Sequence, residues 1–365
     1  MTGKNHPGPA ADPQAAPAAK PLREKKDLLS KPTRPLVIDE AKDVAALLEK
    51  MQGISFQGRS LAEAFRVWRE MLEDECVIMM GMAGAMVPAG MRRLVVYLIE
   101  NRLIDCLVST GANFFHDIHE SLGRKHFQHS PDIDDVMLQE HLIDRMYDTL
   151  ADEAEFREED AWIGEFSGTL DSSRPYTTRE FLYLLGKEVA TRSKTEGIVT
   201  AAYKAEIPLY CPAIGDSSIG IGIAQSRYFG QSKMNFDIIQ DVFETSWITA
   251  KAKNTGVIYF GGGTPKNFIQ QAEVTAIMMK RDVAGHRYAL QIITDAPHWG
   301  GLSGCTFEEA QSWGKIAKDA RMVTCHCDST IAMPLLVTGL SQFPDLIKKR
   351  RLPKFKMGPD FDMTH

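Results

Sequence analysis

The chain has 365 residues, 44% of them hydrophobic and 25% charged, with a formal net charge of -6. That length and composition suit a globular protein with a sizeable core, built as one large domain or two smaller ones. A net negative chain has no general attraction for nucleic acid or an anionic membrane, and it mildly favours cationic ligands such as small amines.

Residues 1 to 33 are rich in Pro, Ala and Lys and nearly lack large apolar side chains. They are expected to form a disordered tail ahead of a single domain over 34–365. The tail lacks the continuous apolar run of a secretory signal. No apolar stretch reaches the roughly 18 residues a spanning helix needs, so a cytoplasmic protein is expected. The longest, Cys76 to Val87, is broken by glycines and follows Glu73, Asp74 and Glu75.

From Val44 to Leu72 the apolar residues recur at helical spacing, and Glu75 to Met80 reads as a short strand entering the glycine-containing loop Gly81 to Gly90. The pattern then repeats. Apolar runs at Cys106–Thr110, Pro208–Ala213, Val257–Phe260, Tyr288–Thr294 and Val323–Cys327 each lead into a small or polar loop. Amphipathic stretches such as Asn235 to Lys253 lie between them. Continuous apolar strands alternating with helices predict an α/β fold: a Rossmann-like, doubly wound, mostly parallel sheet with helices on both faces. The segment 131–178 is rich in Asp, Glu and Arg with weak strand signal, and it reads as a mostly helical insertion. Ligands of such sheets sit beyond the carboxyl ends of the strands.

The six cysteines are scattered, and most fall in apolar runs, so reduced core thiols are expected rather than disulfides. In Cys325-His326-Cys327 a strand would turn the cysteines one way and the histidine the other. His116 and His119 share a helix face, with His126 and His129 following, yet the order of a zinc-binding H-E-x-x-H helix is missing. No metal is expected at either place.

Gly261-Gly262-Gly263 follows the strand run VIYF and precedes a helix, so its backbone could approach a pyrophosphate closely. It departs from G-x-G-x-x-G, and a purely structural turn is the competing reading. A helix starting near Thr306 would set Glu309 and Trp313 on one face, an anion and an aromatic wall for a bound cation. Lys315 follows Gly314, which can end that helix. Such a lysine is either solvated or, when buried beside an apolar wall, more readily deprotonated and able to form an imine.

The run Ser312-Trp313-Gly314-Lys315, with Glu309 before it and Asp328-Ser329-Thr330 and Pro334-Leu335-Leu336 after it, resembles the active-site region of deoxyhypusine synthases. The resemblance extends to GGGTPKNFI, CPAIGDSSIG, STGANFFHD and the GMAGAM turn, in the family's order, from about Glu75 to Leu340. It implies NAD as a catalytic cofactor with no net redox change, and Lys315 as the catalytic nucleophile carrying an aminobutyl group as an imine. It implies that Glu309, Trp313 and the position of Asn267 contact a polyamine substrate. The cofactor positions it implies are Thr110, Gly111, Asp216, Gly262, Gly263, Thr294, Ser303, Asp328 and Ser329. A homotetramer is implied as well.

Several positions depart from the family pattern. Asn267 stands where a histidine is usual, Ile221, Leu302 and Trp299 stand where acids are, and His116 replaces a glutamate. Each charge-assisted hydrogen bond lost costs a polycation site roughly 1 to 3 kcal/mol. These departures resemble the bacterial deoxyhypusine synthase-like branch, in which a free diamine such as putrescine accepts the group and homospermidine is the product. The alternatives are a true deoxyhypusine synthase acting on a translation-factor lysine, an NAD-dependent amine dehydrogenase, and a non-catalytic polyamine-binding protein.

Overall fold

A computed structural model describes residues 24–364. The first 23 residues of the expected tail lie outside that range. Within it, the short helix α1 (Lys25–Leu28) leads to an extended stretch whose Arg34 amide donates to Gly53 O at 2.8 Å. The helical pattern over 44–72 forms two helices, α2 (Val44–Met51) and α3 (Phe56–Glu73). Gly53 and Ser55 interrupt it, Ser55 taking the N-cap position of α3.

The strands follow in chain order: β1 (Cys76–Met82), β2 (Cys106–Ser109), β3 (Phe127–Gln128), β4 (Ile143–Met146), β5 (Thr149–Asp152), β6 (Leu209–Tyr210), β7 (Asn254–Phe260), β8 (His286–Ile293), β9 (Ile316–His326), β10 (Lys354–Lys356) and β11 (Asp362–Thr364). Between and around them run α4 (Arg92–Glu100), α5 (Gly111–Ser121), α6 (Asp135–Glu140), α7 (Glu153–Thr169), α8 (Thr178–Arg192), α9 (Ile198–Ala205), α10 (Ser218–Tyr228), α11 (Ile238–Lys251), α12 (Gly263–Met278), α13 (Phe307–Ser312), α14 (Ser329–Ser341) and α15 (Pro344–Lys349).

Six strands form one parallel sheet in the order β6-β2-β1-β7-β8-β9. Winding starts at β1, runs outward to β6, then returns to the other side of β1 at β7. This is the doubly wound order of dinucleotide-binding sheets, with the topological switch point between β1 and β7. Alternation along the strands feeds two cores. Ile78, Met80, Ile258 and Leu290 pack against Trp68 of α3 and Leu336 of α14. Val77, Met79, Val257 and Ala289 pack against Ile248 of α11 and Ile269 of α12. A strand apolar at every position is therefore required by the covering of both faces.

The segment 131–178 is not helical throughout. β3, β4 and β5 form an antiparallel sheet, with β4 and β5 joined by a turn whose Tyr147 takes φ +57°. From it α7 crosses α10 at close range: a Cβ on Gly222 would come within 2.2 Å of Asp160 O, and one on Gly164 within 2.5 Å of Gly222 O. At the other end of the chain β10 and β11 pair as a hairpin. Buried Arg179 ties this region down through Met357 O at 2.6 Å while its guanidinium pairs with Glu244.

Candidate active site

The glycine turn lies at the switch point. β7 ends at Phe260, and Gly261 and Gly263 take φ +76° and +56°, conformations a side chain would strain. Gly262 is required for space: a Cβ there would sit 2.6 Å from Ser303 Cα. Ser303 thus covers the turn, its Oγ accepting from Gly263 N at 3.1 Å. The turn opens directly into α12, so amides at the start of that helix face the covering loop.

The remaining positions singled out from sequence gather at the same carboxyl ends. Thr110 takes the N-cap position of α5 after β2, without a side-chain cap, and Gly111 meets the loop after β6, where an added Cβ would lie 2.2 Å from Ser217 Oγ. Asp216 is exposed in that loop, and Thr294 is exposed directly after β8. Asp328 is the N-cap of α14 and accepts from the Thr330 hydroxyl and from Thr330 N at 2.7 Å; the hydroxyl first, then the amide, hold its carboxyl below the ordinary range, while Ser329 is buried behind it. Gly111 and Gly262 let Ser217 and Ser303 close over two helix starts at the carboxyl ends of the strands, the place where doubly wound sheets hold dinucleotides. No helix in the described residues is long and apolar enough to cross a membrane.

Lys315 arrives from the opposite direction. Its carbonyl accepts from His286 N at 3.0 Å, so its backbone sits at the amino ends of β8 and β9, not in the carboxyl-end loops. The residue is 9% exposed, and Nζ donates to Asn267 Oδ1 in α12 at 3.1 Å. Nζ also lies 5.4 Å from the centroid of the Trp313 ring. Gly314, at φ +72°, breaks the chain direction after α13 and lets Lys315 turn inward. Glu309 closes a capping box with Thr306: Thr306 N donates to Glu309 Oε2 at 3.3 Å, and Glu309 N to Thr306 Oγ1 at 3.1 Å. One oxygen of Glu309 therefore holds the helix start, and the exposed carboxylate retains capacity for a cation.

Lys266 and Gln291 were not singled out from the sequence, though both are deeply buried polar side chains, each 1% exposed. Burial pushes the Lys266 ammonium down to about 8; Cys305 and Glu309 act against the shift, and the charge of Lys315 adds to it. Only the lysine's place one residue before Asn267 hinted at it.

The histidines form a polar knot between α5 and α7. His126 Nε2 and His116 Nδ1 are 2.9 Å apart, His126 Nδ1 meets Glu120 Oε1 at 2.8 Å, and His119 Nδ1 meets Glu159 Oε2 at 3.2 Å. His129 stands apart, its Nδ1 against Ser130 O. Cys325 is buried and His326 exposed, the alternation of a strand. Among the described residues no group of three or more His, Cys, Asp and Glu is arranged to hold a metal ion.

Fold and site together define a doubly wound α/β protein with a buried lysine held by the helix that follows a glycine turn. The chain belongs to the deoxyhypusine synthase family, a family of aminobutyl transferases: the family profile described as "Deoxyhypusine synthase" matches residues 46–340. It is 49% identical over 332 residues to "Probable deoxyhypusine synthase 2" of Methanosarcina mazei, covering 90% of this chain and 95% of that protein. The protein of the same name from Archaeoglobus fulgidus is 48% identical over 84% of this chain and 99% of its own length. A "Deoxyhypusine synthase-like protein" of Coxiella burnetii is 35% identical over 81% of this chain and 85% of its own. The fold is shared with a solved candidate deoxyhypusine synthase from Entamoeba histolytica, at TM-score 0.60 and 19% identity, covering 84% of this chain and 96% of that one.

Proposed function

We propose that this chain is an NAD-dependent aminobutyl transferase that moves the group from one polyamine to a small free amine, with homospermidine or a related polyamine as product. The observation that carries this reading is Lys315, a buried lysine whose Nζ is held by Asn267 and flanked by Trp313. When bound at the glycine turn, NAD supplies reversible acceptance of a hydride from the amine's carbon, and it is needed in catalytic amount only.

As the neutral amine, Lys315 adds through Nζ to the resulting imine carbon, and the proton it loses passes to the donor's departing amine. The aminobutyl group stays on Lys315 as an imine until an acceptor amine displaces it and return of the hydride to the acceptor imine gives the product. Asn267 has no proton to take up at Oδ1, so it orients Nζ and does not act as a base. Trp313 offers its face to the cationic chain, and Glu309 an exposed carboxylate. A small acceptor is supported by Ile221, Trp299 and Leu302, apolar and exposed where the family pattern carries acids. A cytoplasmic homotetramer is part of the same proposal, supported by the exposed apolar side chains Tyr228, Phe229 and Ile239.

Incubation with NAD and a panel of di- and triamines, borohydride reduction, and mass spectrometry of the Lys315 peptide tests this. An aminobutyl mass on Lys315 with release of a triamine product supports it. No adduct despite NAD binding, or net NADH accumulation, would replace it with an amine dehydrogenase or a binding protein. The second reading, a protein lysine as acceptor, is favoured by the names of the relatives at 49% and 48% identity. Deoxyhypusine formed on a translation-factor substrate would establish it.

A further inference from the structure

Lys266 has no task in the reaction just proposed, yet the fold sequesters it. It lies in the first turn of α12, one residue before Asn267, and its ammonium faces three neutral oxygens: Gln291 Oε1 at 2.9 Å, Ser303 O at 3.3 Å and Cys305 O at 2.5 Å. Three donors meet three acceptors, so the group is hydrogen-bonded, while each of these partners supplies only a dipole. Burying a cation on those terms is costly, and such an arrangement persists where the cation organises its surroundings.

The acceptors show what is organised. Gln291, oriented by Lys266, donates through Nε2 to Gly261 O at 2.9 Å and to Ser303 O at 3.0 Å. Ser303 in turn receives Gly263 N, and its Cα lies 2.6 Å from where a Cβ on Gly262 would be. The glycine turn, the segment covering it and the start of α12 thus converge on one nitrogen.

We propose that Lys266 is a positioning residue: a cationic clamp that draws the carbonyls of Ser303 and Cys305 inward and so sets the clearance over the Gly261–Gly263 turn. The ligand whose phosphates use that clearance is taken from the NAD reading above. The clamp itself does not depend on it. Because burial holds the ammonium down to about 8, the charge is lost just above neutrality. A neutral amine has two donors for three oxygens, so the covering segment loosens as pH rises through that value.

The test is amide hydrogen exchange of Gly304 and Cys305, whose N–H groups donate to Gly301 O and Leu302 O, in the ligand-free full chain. Protection, corrected for intrinsic exchange, is compared from about pH 6.5 to about pH 9.5 for the natural protein, Lys266→Met and Lys266→Arg, beside NAD affinity. The natural protein is expected to lose protection about tenfold across pH 8, the cost of one charge-assisted hydrogen bond. Lys266→Met should start at the lower level and show no inflection. Lys266→Arg should keep its protection across the range, because the guanidinium stays charged.

Unchanged protection in Lys266→Met, or an inflection near pH 8 that persists in either variant, overturns the clamp. Should Lys266→Met fail to fold, Lys266→Arg alone decides, since only a clamp made by charge predicts that its inflection disappears. A natural protein that shows the exchange pattern but binds no NAD leaves the clamp standing and removes the cofactor reading. Equal NAD affinity with equal exchange in all three proteins does the reverse.

Discussion

Replacing Glu309 by glutamine separates two roles that one side chain holds. The capping box needs an acceptor for Thr306 N, at 3.3 Å from Oε2, and the amide oxygen of glutamine supplies one. Unfolding free energy in Glu309→Gln should therefore stay within about 0.5 kcal/mol of the natural protein. Glu309→Ala should lose the cap as well, about 1 kcal/mol. Amine binding is affected differently. A hydrogen bond from an ammonium to a carboxylate contributes about 1.5 to 3 kcal/mol, and Glu309 is exposed, so the lower end applies. At about 1.4 kcal/mol per decade that is roughly a tenfold weaker dissociation constant for a diamine. Urea unfolding followed by fluorescence, and calorimetric titration of a diamine, measure the two quantities on the same samples. Unchanged diamine affinity in Glu309→Gln would show that the carboxylate only caps the helix and that the cation is held elsewhere.

Lys315→Met keeps the buried stem and removes Nζ. The protein should fold, since only the 3.1 Å bond to Asn267 and the contact with the exposed Trp313 ring are lost, while borohydride traps no adduct at this position; an adduct of undiminished yield elsewhere would relocate the nucleophile. Gly262→Ala brings a Cβ to within 2.6 Å of Ser303 Cα, and forcing the covering segment away should cost about 1 to 3 kcal/mol and at least tenfold in NAD affinity. A thermal midpoint and NAD affinity equal to the natural protein's would mean that the segment moves freely. Burial, then the charge of neighbouring His126, holds His119 down from 6.5 to about 3. The unfolded chain takes up that proton first, so the stability from neutral His119 is complete above its ordinary value and is lost as pH falls from 6.5 toward 3. His119→Gln, which can still meet Glu159, should flatten stability against pH over that window in urea titrations; an unaltered slope would assign the acid sensitivity to other groups.

The strands of the sheet were legible because burial on both faces demands uninterrupted apolar runs, and Val257 to Phe260 or Tyr288 to Thr294 could be little else. The loops that follow them were legible for the same reason, since small and polar residues cannot continue a buried strand. β9 was read only in its last part. Lys318, Asp319 and Arg321 mask its beginning, and they are tolerated because β9 lies at the edge of the sheet with a register shift opposite His286 and Tyr288. The antiparallel strands of the insertion were hidden similarly, being short, mostly half exposed and broken by the charged Asp144, Arg145 and Asp152. Motif resemblance marked Lys315, Glu309 and Trp313 as a group. It could not show that Lys315 enters from the amino end of β9, or that Glu309 already serves as a cap.

Lys266 illustrates the division most plainly. The sequence determined that a lysine follows the glycine turn, and local chemistry made that turn and the helix after it. Gln291, Ser303 and Cys305 come from β8 and the loop beyond it, and only the parallel pairing of β7 with β8 carries them to the same nitrogen. Local propensity sets backbone conformation over a few residues, whereas the charge state and partners of a buried ammonium depend on everything packed around it.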